Sequence, residues 1–126
     1  MTDFGIIGVG RIGTSLARNM SLNGIKVSLY DKNFDTSTDI KTHYSELESS
    51  LVFDDINKFI SSISLPRKVI VLVPSGPSLD EVISLCIKNL NSNDILIDAG
   101  NTNPTIGFEN HQKIKSQNLL YIGMGV

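Results

Sequence analysis

The 126-residue sequence predicts an α/β protein, a doubly wound parallel sheet in a single domain spanning residues 1–126. Three observations predict this class. Short apolar runs alternate with stretches of helical spacing along the chain. The runs are nearly continuous in apolar residues, as strands covered on both faces must be. A glycine cluster falls where the first run passes into the first helical stretch.

Phe4 to Val9 is apolar, bounded by glycines, and reads as a buried strand. Gly10 to Gly13 then turns the chain into a helix with Ile12, Leu16 and Met20 on one face, and Gly24 is a natural stop. Lys26 to Tyr30 is a second strand. Asn33 to His43 is rich in Ser, Thr and Asp and is expected to be loop with at most one weak helix. Leu51 to Phe53 suits a short strand, and Asp54 or Asp55 caps a helix carrying Ile56, Phe59, Ile60 and Ile63. Lys68 to Val73 is the clearest buried strand. Leu79, Val82, Ile83, Cys86, Ile87 and Leu90 keep helical spacing after it. Asp94 to Asp98 is a strand, Pro104 to Gln117 a helix, and Leu119 to Ile122 a final strand. No repeat, low-complexity tract or linker interrupts the pattern.

Composition excludes several classes. Hydrophobic residues make up 40% and charged residues 19%, which suits a soluble globular domain with a real core. A net charge of -2, with eleven scattered Lys and Arg, gives no footprint for nucleic acid. No apolar run approaches a membrane span, and the first residues lack the layout of a signal peptide. One cysteine excludes an internal disulfide and fits a reducing, cytoplasmic location. That residue, Cys86, lies on an apolar helical stripe and reads as a buried structural thiol.

Gly8-Val9-Gly10-Arg11-Ile12-Gly13 is a GxGxxG between a predicted strand and a predicted helix. Gly8 permits the tight turn, Gly10 lets the backbone approach a pyrophosphate, and Gly13 lets helix and strand pack closely. Free N–H groups and the helix dipole would hold the phosphates. The alternative is a glycine-rich turn with no ligand. Asp31, at the end of the second strand, agrees with the ligand-binding reading. Asp31-Lys32-Asn33 is expected to address an adenosine ribose, although a plain polar turn also fits these residues. The Asp31 carboxylate favours NAD by repelling a 2′-phosphate, whereas Lys32 could pair with that phosphate, so both NAD and NADP remain open. Asn101 can be a turn residue and Val73-Pro74 a strand end.

With these pieces placed, nearly the whole chain resembles the N-terminal, Rossmann-type domain of the 6-phosphogluconate dehydrogenase family. The resemblance rests on GIIGVGRIGTSLARNM at the start and on Pro66-Arg67-Lys68 leading to Leu72-Val73-Pro74-Ser75-Gly76. It rests also on Asn93-Asp94 through Asp98-Ala99-Gly100-Asn101, and on Gly123-Met124-Gly125-Val126. The related β-hydroxyacid dehydrogenases usually show Ser-Thr where this chain has Gly100-Asn101. The resemblance implies that Gly8 to Gly13 bind the pyrophosphate and that Asp31, Lys32 and Asn33 contact the adenosine ribose. It places Val73, Pro74 and Ser75 along the cofactor, with Asn101 touching both nicotinamide and sugar acid. It implies oxidative decarboxylation of 6-phosphogluconate and a homodimer in the complete enzyme.

The chain departs from the family in several places. NADP-dependent members typically carry Asn-Arg-Thr in place of Asp31-Lys32-Asn33, Ala99 replaces a glycine, and Pro74-Ser75 stand where many members have Lys-Ala. The family's substrate-binding Ser-Gly-Gly, its catalytic Lys and Glu, and its helical domain are expected beyond Val126, which makes this a C-terminally truncated chain, inactive alone. Within the chain, His43 and His111 have no placed partner, and Glu46, Glu48, Asp54 and Asp55 read as solvated faces or caps. Two His and one Cys suggest no metal site. The alternatives are a β-hydroxyacid dehydrogenase fragment and a stand-alone, non-catalytic dinucleotide-binding module.

Overall fold

The computed structural model describes residues 1–73, 77–99 and 108–123, without the side chains of 108–111 and 123. The strands are β1 (Phe4–Ile7), β2 (Val27–Tyr30), β3 (Leu51–Phe53), β4 (Lys68–Val71), β5 (Ile95–Asp98) and β6 (Leu120–Gly123). The helices are α1 (Arg11–Leu22), α2 (Phe34–His43), α3 (Ile56–Ser61), α4 (Pro77–Asn89) and α5 (Phe108–Ser116), with a 3-10 turn at Ser45–Leu47. All strand pairs are parallel, in the order β3-β2-β1-β4-β5-β6. The chain therefore winds outward from β1 to one edge, returns, and winds from β4 to the other. Among the described residues no helix is long and apolar enough to cross a membrane.

The strand pleat divides the core between two faces. Ile6, Val27 and Leu29 pack with Ala17 and Leu47 beneath α1 and α2. Ile7, Val69, Val71 and Leu96 face the other way, onto Phe59, Ile83, Cys86 and Ile87 of α3 and α4 and Ile114 of α5. Gly5 is a glycine because a side chain there would overlap the buried Phe59 and Ile63. The one polar residue inside β2, Ser28, is fully buried and joins a chain of hydroxyls. Its Oγ hydrogen-bonds Thr2 Oγ1 and Ser62 Oγ, each at 2.6 Å, and Ser62 donates to the Phe59 carbonyl.

The structure corrects four expectations. The segment after β2 is a full helix, α2. The Asn33 side chain caps it by accepting from Asp35 N at 3.1 Å, Asp35 stands in the first turn, and Lys41 and His43 stand in the last. Capping and charges matched to the helix dipole thus replace the apolar stripe that the segment lacks. On α1 the buried residues are Gly13 and Ala17, while Ile12 is 51% exposed. The small residues let α1 lie close on the sheet, and this turns Ile12 outward. Glu46, expected to be solvated, is ion-paired with Arg18, which also stacks over the Tyr44 ring at 4.1 Å. The strand expected at Lys68 to Val73 stops at Val71, although Leu72 N still donates to the Ile7 carbonyl at 2.8 Å, and Val73 follows at the C-terminal rim.

Two motifs of the family resemblance meet at the opposite rim. Asp94, fully buried, accepts Arg67 N and Asn91 N at 2.7 Å each, with the Arg67 guanidinium 3.6 Å away. Asn93 takes the left-handed backbone (φ 74°) that the turn into β5 requires.

Of the two candidate caps of α3 it is Asp55 that acts, accepting Asn57 N at 2.7 Å and Lys58 N at 3.3 Å. Replacing Asp55 with Ala is expected to cost about 1 kcal/mol. Thermal unfolding would show this as a fall of roughly 3–6 °C, while Asp54→Ala leaves the transition in place.

Candidate functional site

The site grows from the turn between β1 and α1. Gly8 has φ +95°, and any side chain there would come within 2.8 Å of the Leu72 carbonyl oxygen. A side chain at Gly13 would overlap the Gly8 carbonyl oxygen. Both glycines are therefore demanded by the chain itself. Gly10 is different. Its backbone is extended (φ -77°, ψ -155°), and nothing lies within 4 Å of where its side chain would be. Only an incoming group gains from its bareness. Gly10 is also the N-cap of α1, with no side chain capping the helix and no acid in the first turn. The first N–H groups of a helix have no intrahelical acceptor, and here they carry the positive end of the dipole, suited to an anion.

Asp31 stands at the end of β2, beside this turn. Its Oδ2 accepts Val9 N at 2.8 Å and its Oδ1 accepts Asn33 N at 2.9 Å. The carboxylate is thus tied both to the glycine turn and to the start of α2. It retains lone pairs for a ligand's hydroxyls, because an ionised carboxylate offers about four acceptor sites.

A cleft of about 460 Å³ opens between this corner and α4. Gly8, Gly10, Asp31, Lys32 and Val73 all line it, as the sequence suggested. Val9 takes part through its backbone, and Gly13 through packing under Gly8. Arg11 and Ile12 are exposed on the first turn of α1. The Asn33 side chain is committed to capping α2, and Asn33 borders a separate shallow hollow with Asp31 and Lys32. Pro74, Ser75 and Asn101 lie outside the described residues.

Sequence reasoning missed the second wall of the cleft. Ser78, Glu81, Val82 and Leu85 present one face of α4 to it, opposite Tyr30, Asp31 and Lys32. Their spacing of three, four and seven was the available signal. It was masked by the stronger stripe of Leu79, Ile83, Cys86 and Ile87, which packs inward. Burial, and then the carboxylates of Asp31, Asp55 and Glu81, push the Tyr30 hydroxyl pKa up. Cys86 is fully buried, which pushes its thiol up to about 12 and leaves it without thiolate character. His43 ends α2 edge-on to Tyr44 and borders a different hollow, with Lys41 and Glu48. The His111 side chain lies outside the described residues.

A glycine turn at a bare helix N-terminus, an acid closing β2, and a cleft at the C-terminal rim of a parallel sheet define a Rossmann-type dinucleotide-binding domain. Residues 3–126 match the family described as the NAD binding domain of 6-phosphogluconate dehydrogenase, and the chain belongs to that family. The cofactor class is therefore the nicotinamide dinucleotides. The chain is 31% identical over 125 residues to decarboxylating 6-phosphogluconate dehydrogenase of Chlamydia trachomatis, covering 99% of this chain and 26% of that protein. It is 30% identical over 124 residues to decarboxylating 6-phosphogluconate dehydrogenase 1 of Saccharomyces cerevisiae, covering 98% and 25%. The chain thus spans about a quarter of the length of these curated relatives. Among solved structures, Plasmodium falciparum 6-phosphogluconate dehydrogenase superposes with a TM-score of 0.79 at 28% identity, covering 94% of this chain and 26% of that one. That enzyme was solved in its apo form, with its cofactor NADP+, and with its substrate 6-phosphogluconate. The 3-hydroxyisobutyrate dehydrogenase of Mycobacterium tuberculosis shares the fold (TM-score 0.69, 20% identity, 98% of this chain and 40% of that one).

The glycines separate stability from binding. Gly13→Ala is expected to lower stability by roughly 1–3 kcal/mol through overlap with the Gly8 carbonyl. Gly10→Ala, in open space, should melt within a few degrees of the unsubstituted chain yet bind a dinucleotide at least about tenfold more weakly. Thermal unfolding and calorimetric titration of both variants check the contrast.

Proposed function

We propose that this chain is the cofactor-holding domain of a cytoplasmic, decarboxylating 6-phosphogluconate dehydrogenase, and that it prefers NAD to NADP. The complete protein would oxidise and decarboxylate 6-phosphogluconate to ribulose 5-phosphate in the pentose phosphate pathway. The bound nicotinamide would supply the hydride acceptor.

One observation carries the cofactor preference: the Asp31 carboxylate is fixed at the cleft by two backbone N–H groups. It cannot swing away to admit a phosphate without releasing both. A 2′-hydroxyl can donate to it, whereas a 2′-phosphate meets charge of the same sign. Lys32 lines the same cleft and opposes this effect, but an ammonium on a flexible stem carries no comparable tether. In this reading the N–H groups that open α1 hold the pyrophosphate, and Val73 lies along the cofactor. Pro74, Ser75 and Asn101 take their parts on family resemblance, with Asn101 also meeting the sugar acid.

The melting temperature of the purified chain with NAD, NADP or neither tests this reading. A ligand at a hundred times its dissociation constant adds about 2.7 kcal/mol, a rise of several degrees for a domain of this size. The expected outcome is a larger shift with NAD. Asp31→Asn should narrow the gap by roughly tenfold in relative affinity, the scale of one close charge–phosphate repulsion. A larger shift with NADP in the unsubstituted chain would mean that Lys32 outweighs the carboxylate.

The described groups of the cleft that can take up or release protons are Tyr30, Asp31, Lys32 and Glu81, all gathered between the end of β2 and α4. The ribose-side role leaves none of them to act as base at the sugar acid. Residues 1–126 alone are therefore expected to show no 6-phosphogluconate-dependent reduction of NAD or NADP. A spectrophotometric assay at 340 nm (the absorbance of the reduced nicotinamide) reads this directly, and a sustained rate would refute it.

A further inference from the structure

Each wall of the cleft carries a carboxylate, and the β2 wall also carries the ammonium of Lys32. Asp31 stands on the β2 wall and Glu81 on the α4 wall, with Lys32 the one cation among the described lining residues. Glu81 is solvent-exposed and lies on the α4 face that also presents Ser78, Val82 and Leu85 to the cleft. Its position is set by helical geometry. Leu79, Ile83 and Cys86 anchor the opposite face of α4 in the core, which leaves Glu81 on the face that borders the cleft lined also by Tyr30 and Asp31. The Tyr30 hydroxyl pKa is raised first by burial and then by the carboxylates of Asp31, Asp55 and Glu81, which counts Glu81 among the charges acting on the β2 wall.

NAD and NADP differ at one place, the 2′ position of the adenosine ribose, where NADP carries a phosphate of nearly two negative charges. A charge on the far wall need not touch that phosphate to act on it, because screening at physiological salt has a length of about 8 Å. With Lys32 beside Asp31 on the β2 wall, a carboxylate on the α4 wall adds repulsion that no cation on that wall offsets among the described lining residues. We propose that Glu81 is a second cofactor-selecting residue, which reinforces Asp31 from the α4 wall against a dinucleotide bearing a 2′-phosphate. The inference rests on the reading of this cleft as the adenosine site.

The test is calorimetric titration of the 126-residue chain with NAD and with NADP, in the unsubstituted form and as Glu81→Gln. Glu81→Gln on the exposed face of α4 keeps size and helix propensity. The ratio of the NADP to the NAD dissociation constant is expected to fall by roughly threefold or more in low salt, with the difference shrinking in high salt. Glu48→Gln, which removes the same charge beside the hollow of α2, should leave the ratio where it was. A ratio unmoved by Glu81→Gln, with NAD still bound, overturns the inference and leaves the cofactor reading standing. A larger loss of NAD than of NADP binding would make Glu81 a direct contact of the nucleoside and also overturn the selecting role. If the unsubstituted chain binds neither dinucleotide, the cofactor reading fails, and this inference with it.

Discussion

The organisation of the ligand end depends on one tethered carboxylate. Asp31 closes β2, accepts Val9 N from the glycine turn and accepts Asn33 N from the cap of α2. The glycine turn is thereby held in register with the continuous stretch that ends β2 and begins α2. The Val9 bond is part-buried and the Asn33 bond exposed, so the first is the stronger tether, because water screens a hydrogen bond to a charged acceptor where it has access. The group that would discriminate between cofactors is thus also the group that shapes the turn. An acid at this position is in consequence a structural commitment as well as a chemical preference.

The glycine turn shows the same economy. Gly8 and Gly13 serve the fold, one by backbone angle and the other by close approach, whereas Gly10 faces open space and is not demanded by close contact. A motif of this kind is usually treated as a unit. Here its members divide by what surrounds them: two meet backbone and one meets open space. The N–H of Val9 turns inward to Asp31, so the anion-holding capacity falls to the opening turn of α1.

The alternation of strands and helices was legible in the sequence because buried parallel strands and the inward stripes of α3 and α4 leave strong patterns. The α2 helix was illegible as a helix because its stability comes from ends rather than from a face. Asn33, Asp35, Lys41 and His43 stabilise the termini, while Thr38 and Thr42 satisfy their hydroxyls on carbonyls one turn back. Hydrophobic periodicity cannot detect such a helix. The α4 wall of the cleft was hidden for the converse reason. Ser78 and Glu81 are unremarkable beside the apolar stripe on the same helix, and only the winding of the sheet shows that their face meets the end of β2.

Resemblance and mechanism also part company along the sheet. Pro66-Arg67-Lys68 and Asn93-Asp94 helped to place the chain in its family, yet Arg67 and Asp94 join at the rim opposite the cleft. A buried carboxylate held by two backbone N–H groups and faced by a guanidinium anchors the entries to β4 and β5. At the C-terminal rim, the buried Asp98 accepts the Tyr121 hydroxyl at 2.8 Å, which ties the end of β5 to β6. Burial, and then Asp98, push the Tyr121 pKa up, so the phenol keeps the proton it donates. Both acids are bound to protein at opposite ends of the same strand. Asp31 differs in that, besides its two tethers, it lines a cleft, which is the ground for proposing it as a cofactor contact.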